Sequence, residues 1–197
     1  MAFLRFLTIV IFCLVSSTHP QTKAGSQPSR RRETAETVYH NPAFGFSYSI
    51  PYGWVDRTKE MQGGDDAAKG EVLLAVFARP PQAAGETVNS AVVIAAEALS
   101  AYPGLKKAED YLDPLSELMT SKGFKSEGDP SELLIDQRRL IRADFSRPVT
   151  DKVTMHQATL VCLSKARAVS FTFVAGSEAE VDDLMSALHF DAARLQR

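Results

Sequence analysis

Apolar and polar residues alternate along a segment near the start of the chain, and this period of two predicts a β-strand with one buried face. Gly and Ser separate the apolar positions of that segment, which are Phe44, Phe46, Tyr48 and Ile50. Residues 51–53, Pro-Tyr-Gly, are typical of a turn, and Val55 follows in a second short strand or a corner. Large aromatic residues beside a turn usually close a core, so we expect Trp54 to pack at the core edge.

Two later segments are apolar on both faces, which is typical of central strands that are covered on each side. They are EVLLAVFA at residues 71–78 and SAVVIAAEA at residues 90–98. Further strands are predicted at residues 133–135, 137–145, 153–163 and 167–174, with a turn at residues 147–151. The connection between the last two strands is too short for a crossover, so they are expected to pair as an antiparallel hairpin.

Apolar residues three and four positions apart predict two helices. The first spans about residues 106–122, and its apolar positions are Leu105, Ala108, Leu112, Leu115, Leu118 and Met119. Pro114 either kinks this helix or lies in the first turn of a new helix capped by Asp113, and Gly123 supplies the stop. In the second helix, Ser177 and Glu180 match a capping box. Its apolar face is formed by Val181, Leu184, Met185 and Leu188, with Phe190 in the last turn.

The order of elements is strands, helix, strands, helix, with short connections in the second half. This order predicts an α+β fold in which helices pack on an antiparallel sheet.

The first 36 residues differ from the rest of the chain. Residues 1–17 have the charged, apolar, small-residue order of a secretory signal peptide, and an uncleaved N-terminal anchor is the alternative. Residues 18–36 are polar and contain Arg30–Arg32, and we expect a flexible tether. The arginines are interpreted as part of a solvated linker, with anionic headgroups or cell-surface polymer as the alternative partners.

These boundaries predict a single α+β domain at residues 37–191 and an exposed tail at residues 192–197. After signal removal no segment approaches transmembrane length, so we expect a soluble protein in the periplasm or outside the cell.

Charge gives no reason to expect a nucleic-acid partner. The chain has 22 Lys and Arg and 24 Asp and Glu, a net charge of −2. Residues 1–36 hold five of the basic and two of the acidic residues, so the remainder has 17 against 22, a net charge of −5.

No catalytic, cofactor-binding or metal-binding motif is visible. The four histidines, His19, His40, His156 and His189, have no zinc-like spacing, and no P-loop, dinucleotide fingerprint or G-x-S-x-G occurs. Asp65 and Asp66 lack the spaced ligands of a calcium loop and are interpreted as loop charges. Cys162 lies in an apolar run, and we expect a buried, inert thiol. Cleavage of the signal peptide would remove Cys13, so Cys162 would be the single cysteine of the mature chain.

The surface feature that the pattern singles out is a basic strip. Arg138 and Arg142 fall on the same face of one predicted strand, together with Asp144, and Arg147 lies near them in sequence. They could bind an anion or a carboxylate of a partner. The alternative is a solvated strand face whose arginine stems cover apolar surface.

The amino-acid sequence of several elements resembles that of the PsbP-like domains, over residues 38–191. The matching positions are Phe44, Gly45, Phe46, Ile50, Pro51, Gly53, Trp54, Ser170, Phe171, Phe173, Glu180, Leu188 and Phe190. That family includes the extrinsic oxygen-evolving subunit of photosystem II, a nuclear Ran-binding factor and many exported bacterial proteins. The resemblance implies an antiparallel sheet sandwiched by helices, and a binding or assembly role. No ligand set of the family has matching residues here.

These observations lead to three functional hypotheses. The first is an exported, non-enzymatic module that binds a protein or envelope component through one face of its sheet. The alternative is a small-molecule or lipid carrier with a pocket between sheet and helix. A hydrolase without a recognisable motif is a weaker alternative, because catalytic triads assemble from residues distant in sequence.

Overall fold

The computed structural model of the protein describes residues 37–62, 70–80 and 87–191. The predicted signal peptide, the tether, the C-terminal tail and the Asp65–Asp66 loop lie outside the described residues, and those interpretations stay predictions.

Strands dominate the described part of the chain. They are β1 (Thr37–Asn41), β2 (Phe46–Ile50), β3 (Val55–Asp56), β4 (Gly70–Phe77), β5 (Ala91–Ala98), β6 (Lys125–Ser126), β7 (Ser131–Ile135), β8 (Arg138–Thr150), β9 (Val153–Ser164), β10 (Arg167–Ala175) and β11 (Leu188–Phe190). The helices in the same ranges are α1 (Thr58–Met61), α2 (Leu112–Ser121) and α3 (Glu178–Ser186), with 3₁₀ turns at Leu99–Ala101 and Ala108–Tyr111.

The strands form two antiparallel sheets. The large sheet has the order β3-β4-β5-β10-β9-β8-β6, and β7 pairs with the part of β8 that β6 leaves open. The small sheet has the order β1-β2-β11. Strands β9 and β10 form the expected hairpin, in register from Ser164 opposite Arg167 to His156 opposite Ala175. The α+β prediction with an antiparallel sheet is confirmed.

Each face of the large sheet has its own apolar core. On one face, α2 packs Leu112, Leu115 and Met119 against sheet residues that include Phe77 and Phe145. On the other face, the small sheet and α3 cover a second core, whose aromatic residues are Phe46, Tyr48, Phe171, Phe173 and Phe190. The large sheet is therefore covered on both sides, which explains why β4 and β5 are apolar on both faces.

The segment at residues 44–55 lies where the small sheet meets the large one. Phe46 and Tyr48 are buried, as the alternation predicts, and Trp54 is half-buried at the edge of the second core. The two strands on either side of the Pro-Tyr-Gly turn belong to different sheets, because β2 pairs with β1 and β11 whereas β3 pairs with β4.

The first predicted helix is two elements. A 3₁₀ turn at Ala108–Tyr111 leads into α2, and Pro114 lies in the first turn of α2, where its missing N–H costs no helical hydrogen bond. Of the two alternatives, the new helix with Pro114 in its first turn is observed, but its N-cap is Tyr111, because Asp113 lies inside this turn. Gly123 has a φ of +82° and ends the helix, as expected.

Two further predictions are wrong. Strand β8 continues to Thr150, so the turn lies at residues 151–152 instead of 147–151. Pro148 is tolerated because the register shifts between Pro148 and Thr150. Leu188 and Phe190 are not helical: they lie in β11, which pairs with β2. The backbone groups at the edge of β2 pair with residues 188–190. This pairing takes the place of a further helical turn.

In the described ranges, no helix is both long enough and apolar enough to cross a lipid bilayer.

Candidate functional site

A cleft of about 290 Å³ opens between strands β8 and β9 and the first turns of α3. Four carboxylates, one arginine and one histidine line it, together with Phe145, Gln157 and Val181. The charged and titratable side chains are Glu127, Asp144, Glu178, Asp182, Arg142 and His156. We call this site the acidic cleft.

Strand alternation places the centre of the acidic cleft. Arg142 and Asp144 are two positions apart on β8, so their side chains project from the same face. The Arg142 Nε donates to both carboxylate oxygens of Asp144, at 3.0 and 2.8 Å. His156 of β9 lies opposite Ser146 of β8 and brings its imidazole to the same cleft.

Arg142 also joins the sheet to helix α3. Its terminal nitrogen lies 3.0 Å from the carboxylate of Asp182. The hydrogen bond that Arg142 donates to Asp144 is the largest cause that raises the pKa of Arg142, and burial opposes it. One guanidinium is therefore committed to two carboxylates, and it fixes the position of both.

The first turn of α3 supplies one wall of the cleft and is itself well anchored. The Ser177 hydroxyl accepts the N–H of Glu180 at 3.2 Å, which is the predicted capping contact. The Glu180 carboxylate reaches back to the N–H of Gly176 at 3.3 Å and also accepts a hydrogen bond from the Ser90 hydroxyl at 2.5 Å. These contacts hold the start of the helix, where Glu178 lies, against the sheet.

The opposite wall is the segment after β6. The backbone N–H of Glu127 donates to the carbonyl of Asp144 at 2.8 Å, and the Ser146 hydroxyl donates to the Glu127 carboxylate. Ser146 is almost fully buried. The Glu127 side chain is therefore positioned from the strand that carries Asp144.

The acidic cleft has more negative than positive charge. Arg142 is its permanent cation, against four carboxylates, and the imidazole Nδ1 of His156 lies 3.8 Å from Glu178. The side chains of Glu178 and Asp182 are 77% and 58% exposed, so a partner can reach them. An arrangement of this kind attracts lysine or arginine side chains, and salt weakens the attraction at such exposed positions.

The structure separates the three arginines of the predicted strip. The Arg138 guanidinium lies 5.5 Å from the centre of the Phe190 ring, on the same side of the sheet as Arg142. Arg147 lies on the other side, 4.8 Å from the centre of the Phe124 ring, because its position on β8 is odd and theirs are even. The three side chains do not form one strip, and anion binding by any of them stays a prediction.

Most of the acidic cleft was not predicted from the sequence. Asp144 was placed on the correct strand face, but Glu127 comes from a loop and Glu178 and Asp182 from a helix far along the chain. The available signal was the spacing of Glu178 and Asp182, four residues apart on the polar side of the capped helix. That spacing gives a helix face and does not reveal which strand lies opposite.

Cys162 and His156, the remaining candidates for reactive side chains, lie in different places. Cys162 is buried, as predicted, and burial raises the pKa of its thiol to about 11. His156 lines the acidic cleft, whereas Cys162 packs in the second core. Across residues 37–62, 70–80 and 87–191, no group of three His, Cys, Asp or Glu side chains is placed to hold a metal ion.

The fold is an α+β sandwich built on one large antiparallel sheet, and comparison with solved structures identifies it further. The chain is similar to cyanobacterial PsbP from Synechocystis sp. PCC 6803, with a TM-score of 0.54 and 16% identity, over 84% of this chain and 98% of that chain. It has the PsbP-like fold, and the predicted resemblance is confirmed.

The chain is also similar, at TM-scores below 0.5, to solved structures that include two proteins of other organisms. One is LpqN, a protein involved in cell envelope biogenesis of Mycobacterium tuberculosis, at 0.41 and 17% identity over 78% of this chain and 84% of that chain. The other is the Ran-binding protein Mog1p of Saccharomyces cerevisiae, at 0.45 and 9% identity over 80% and 86%. No protein-family model matches the sequence, and neither does any curated protein.

Proposed function

We propose that the protein is an exported, non-enzymatic binding module that holds a basic group of a protein or envelope partner in the acidic cleft. The observation that carries this proposal is the surplus of carboxylates in the cleft, which is lined by Glu127, Asp144, Glu178 and Asp182 and by the single guanidinium of Arg142. That guanidinium contacts Asp144 and Asp182.

The cleft is organised before a partner arrives. Arg142 fixes Asp144 and Asp182, and the Ser146 hydroxyl fixes Glu127. A lysine or arginine side chain that enters the cleft would meet carboxylates whose positions are already set, so less ordering entropy is lost on binding. Glu178 has its carboxylate in solvent and is free to turn toward the entering cation.

The contacts of the cleft favour binding over catalysis. Each carboxylate except that of Glu178 accepts a hydrogen bond from Arg142 or from Ser146. A triad-type hydrolase needs a hydroxyl or thiol nucleophile beside its histidine, whereas the contact of His156 is with the Glu178 carboxylate at 3.8 Å.

The carrier hypothesis has less support. A pocket between α2 and the sheet would have to open where Leu112, Leu115 and Met119 pack against the sheet, and each of these residues is at most 1% exposed. Apolar side chains fill that space, so a ligand would have to displace them.

The test is a titration of the protein with acetylated triarginine amide at low ionic strength, followed by calorimetry. Replacing Glu178 with Gln and Asp182 with Asn should weaken binding by roughly tenfold, because each exposed charge pair is worth up to about 1 kcal/mol. Asp183→Asn is the control for loss of one charge from the same helix, since Asp183 is exposed there and does not line the cleft. Equal affinity in all three proteins would refute the proposal.

The partner itself can be sought by crosslinking in the native envelope. We expect a partner captured by the wild-type protein and by Asp183→Asn to be lost with the Glu178→Gln/Asp182→Asn variant. A partner retained by all three proteins would bind at another surface.

A further inference from the structure

The strongest positive run in the chain precedes the described residues by a few positions. Arg30–Arg32 are consecutive, and they lie in the N-terminal 36 residues, which hold five basic and two acidic residues. The rest of the chain has a net charge of −5, and in the described residues four carboxylates and one arginine line the acidic cleft. The chain thus contains a cationic segment and an acidic cleft of complementary charge.

The start of β1 lies close to the end of the helix that carries one wall of the cleft. Thr37 pairs with Ile50 in the small sheet. The neighbouring residue Ser49 donates its N–H to the carbonyl of Ala187 at 3.0 Å, directly after α3. Asp182 lies five residues before Ala187 along the helix.

This short route limits the distance that the arginines must cover. Two strand spacings, one peptide step and five helical residues put the Cα of Asp182 at most about 23 Å from that of Thr37. An extended backbone spans roughly 17 Å from Thr37 to Arg32 and roughly 24 Å to Arg30. The arginine side chains add to this span, so the segment is long enough to reach the cleft.

We infer that Arg30–Arg32 occupy the acidic cleft of their own chain and compete with the basic group of the partner. This inference rests on the proposed function of the cleft. A tethered segment has an effective concentration in the millimolar range, so even a weak attraction keeps the cleft occupied for part of the time. Exposed ion pairs of this kind are weak and reversible, which allows a partner of higher affinity to displace the segment.

The experiment uses residues 18–197, the chain that remains after the predicted signal, with acetylated triarginine amide as the probe. Replacing all three of Arg30, Arg31 and Arg32 with Ala should tighten probe binding by about threefold, because the internal competitor is gone. The gain should disappear in the Glu178→Gln/Asp182→Asn background. NMR should show a shift of the Val181 and Asp182 amide signals between the wild-type and triple-Ala proteins without any probe.

The matched control removes the same charge elsewhere, by replacing Lys106, Lys107 and Lys165 with Ala. All three lysines are exposed and none lines the cleft. An equal gain in this control would show a general charge effect and overturn the inference.

The remaining outcomes separate the inference from the proposed function. If the probe binds the wild-type and triple-Ala proteins equally well, and Glu178→Gln/Asp182→Asn still weakens binding, the inference fails and the proposed function stands. The same holds if the triplet binds anionic vesicles without any effect on the probe. If the probe binds none of the proteins, both fail.

Discussion

The Ser90 hydroxyl donates a hydrogen bond to the Glu180 carboxylate at 2.5 Å and joins the residue before β5 to the first turn of α3. The two residues are 90 positions apart in sequence. The other oxygen of the same carboxylate accepts the N–H of Gly176. This pair of contacts fixes the start of α3, and with it the helix wall of the acidic cleft.

We predict that Ser90→Ala lowers the free energy of unfolding by about 1.5 kcal/mol, because hydrogen bonds to charged groups are worth about 1.5–3 kcal/mol and Ser90 is buried. Urea unfolding of Ser90→Ala, Glu180→Ala and the double variant gives the coupling free energy, which we expect to be about 1 kcal/mol. Ser177→Ala, which removes the cap contact at the same helix end, should cost about 1 kcal/mol. A coupling near zero for Ser90 and Glu180 would contradict this account.

The end of α2 gives a second prediction. Gly123 has a φ of +82°, its N–H donates to the carbonyl of Thr120, and the N–H of Phe124 donates to that of Met119. A Cβ at Gly123 would lie 3.7 Å from the Cδ of Arg147, so space is available and the cost comes from the left-handed backbone. We expect Gly123→Ala to lower the free energy of unfolding by about 1–2 kcal/mol.

Gly176→Ala is the control for this substitution. A Cβ there would make ordinary contacts at 3.8 and 3.9 Å, and its φ lies outside the left-handed region. We expect a change within about 0.5 kcal/mol, or a small gain from the reduced entropy of the unfolded chain. Equal costs for the two substitutions would show that backbone conformation at Gly123 is not the cause.

Segments with only the two-residue period of a strand could be predicted from the sequence. Segments that fit both the helical and the strand period could not. Leu188 continues the helical spacing of Val181 and Leu184, and Leu188 and Phe190 also alternate as a strand does. The edge of β2 decides between them, because the N–H of Ser49 bonds to the carbonyl of Ala187 and the following residues pair with β2. That partner is known only once the fold is known.

The bulge in β4 is another feature that local pattern cannot show. Its register shifts between Val72 and Leu74, so that Val72 packs in the core under α2 and Leu74 in the core under the small sheet. An apolar run looks the same with or without the extra residue.

The acidic cleft depends on topology in the same way. Asp144 and Arg142 share a strand face that alternation predicts, but Asp182 reaches Arg142 only because α3 packs across β9 and β10. The composition of either element alone gives no sign of this meeting. Arg147 is close to Arg142 in sequence but lies on the opposite face of the sheet, so sequence proximity does not bring the three arginines together.

Buried Glu97 makes stability depend on pH. The residue is 5% exposed, and the Tyr111 hydroxyl lies 3.3 Å from one of its carboxylate oxygens. Burial raises the pKa of Glu97 above its ordinary value, and hydrogen bonds from Tyr102 and Tyr111 oppose this shift only in part. The folded state therefore binds the Glu97 proton more tightly than the unfolded state does. The stability that this preference contributes is fully present below the unfolded pKa and is lost as the pH rises through the folded pKa.

We predict that Glu97→Gln becomes progressively more stable than the wild-type protein as the pH is raised from about 4 to about 8, since Gln carries no charge to bury. Urea midpoints measured across this range test the prediction. Glu132→Gln is the control, because Glu132 is an exposed carboxylate on β7. A constant difference between Glu97→Gln and the wild-type protein would show that the buried carboxyl does not titrate in this range.

Cys162 reports on opening of the core. It is the single cysteine of residues 18–197, it is 5% exposed, and burial raises the pKa of its thiol to about 11 from an ordinary value near 9. At pH 8 this shift alone lowers the thiolate fraction about a hundredfold. Labelling slows by the same factor, because the thiolate is the reactive form. We therefore predict that iodoacetamide labels the native protein at least a hundredfold more slowly than the protein in urea.

If labelling requires global unfolding, Gly123→Ala should accelerate it about tenfold for each 1.4 kcal/mol of lost stability. A native rate that is fast, or that is unchanged by Gly123→Ala, would instead show that the strands around Cys162 open locally.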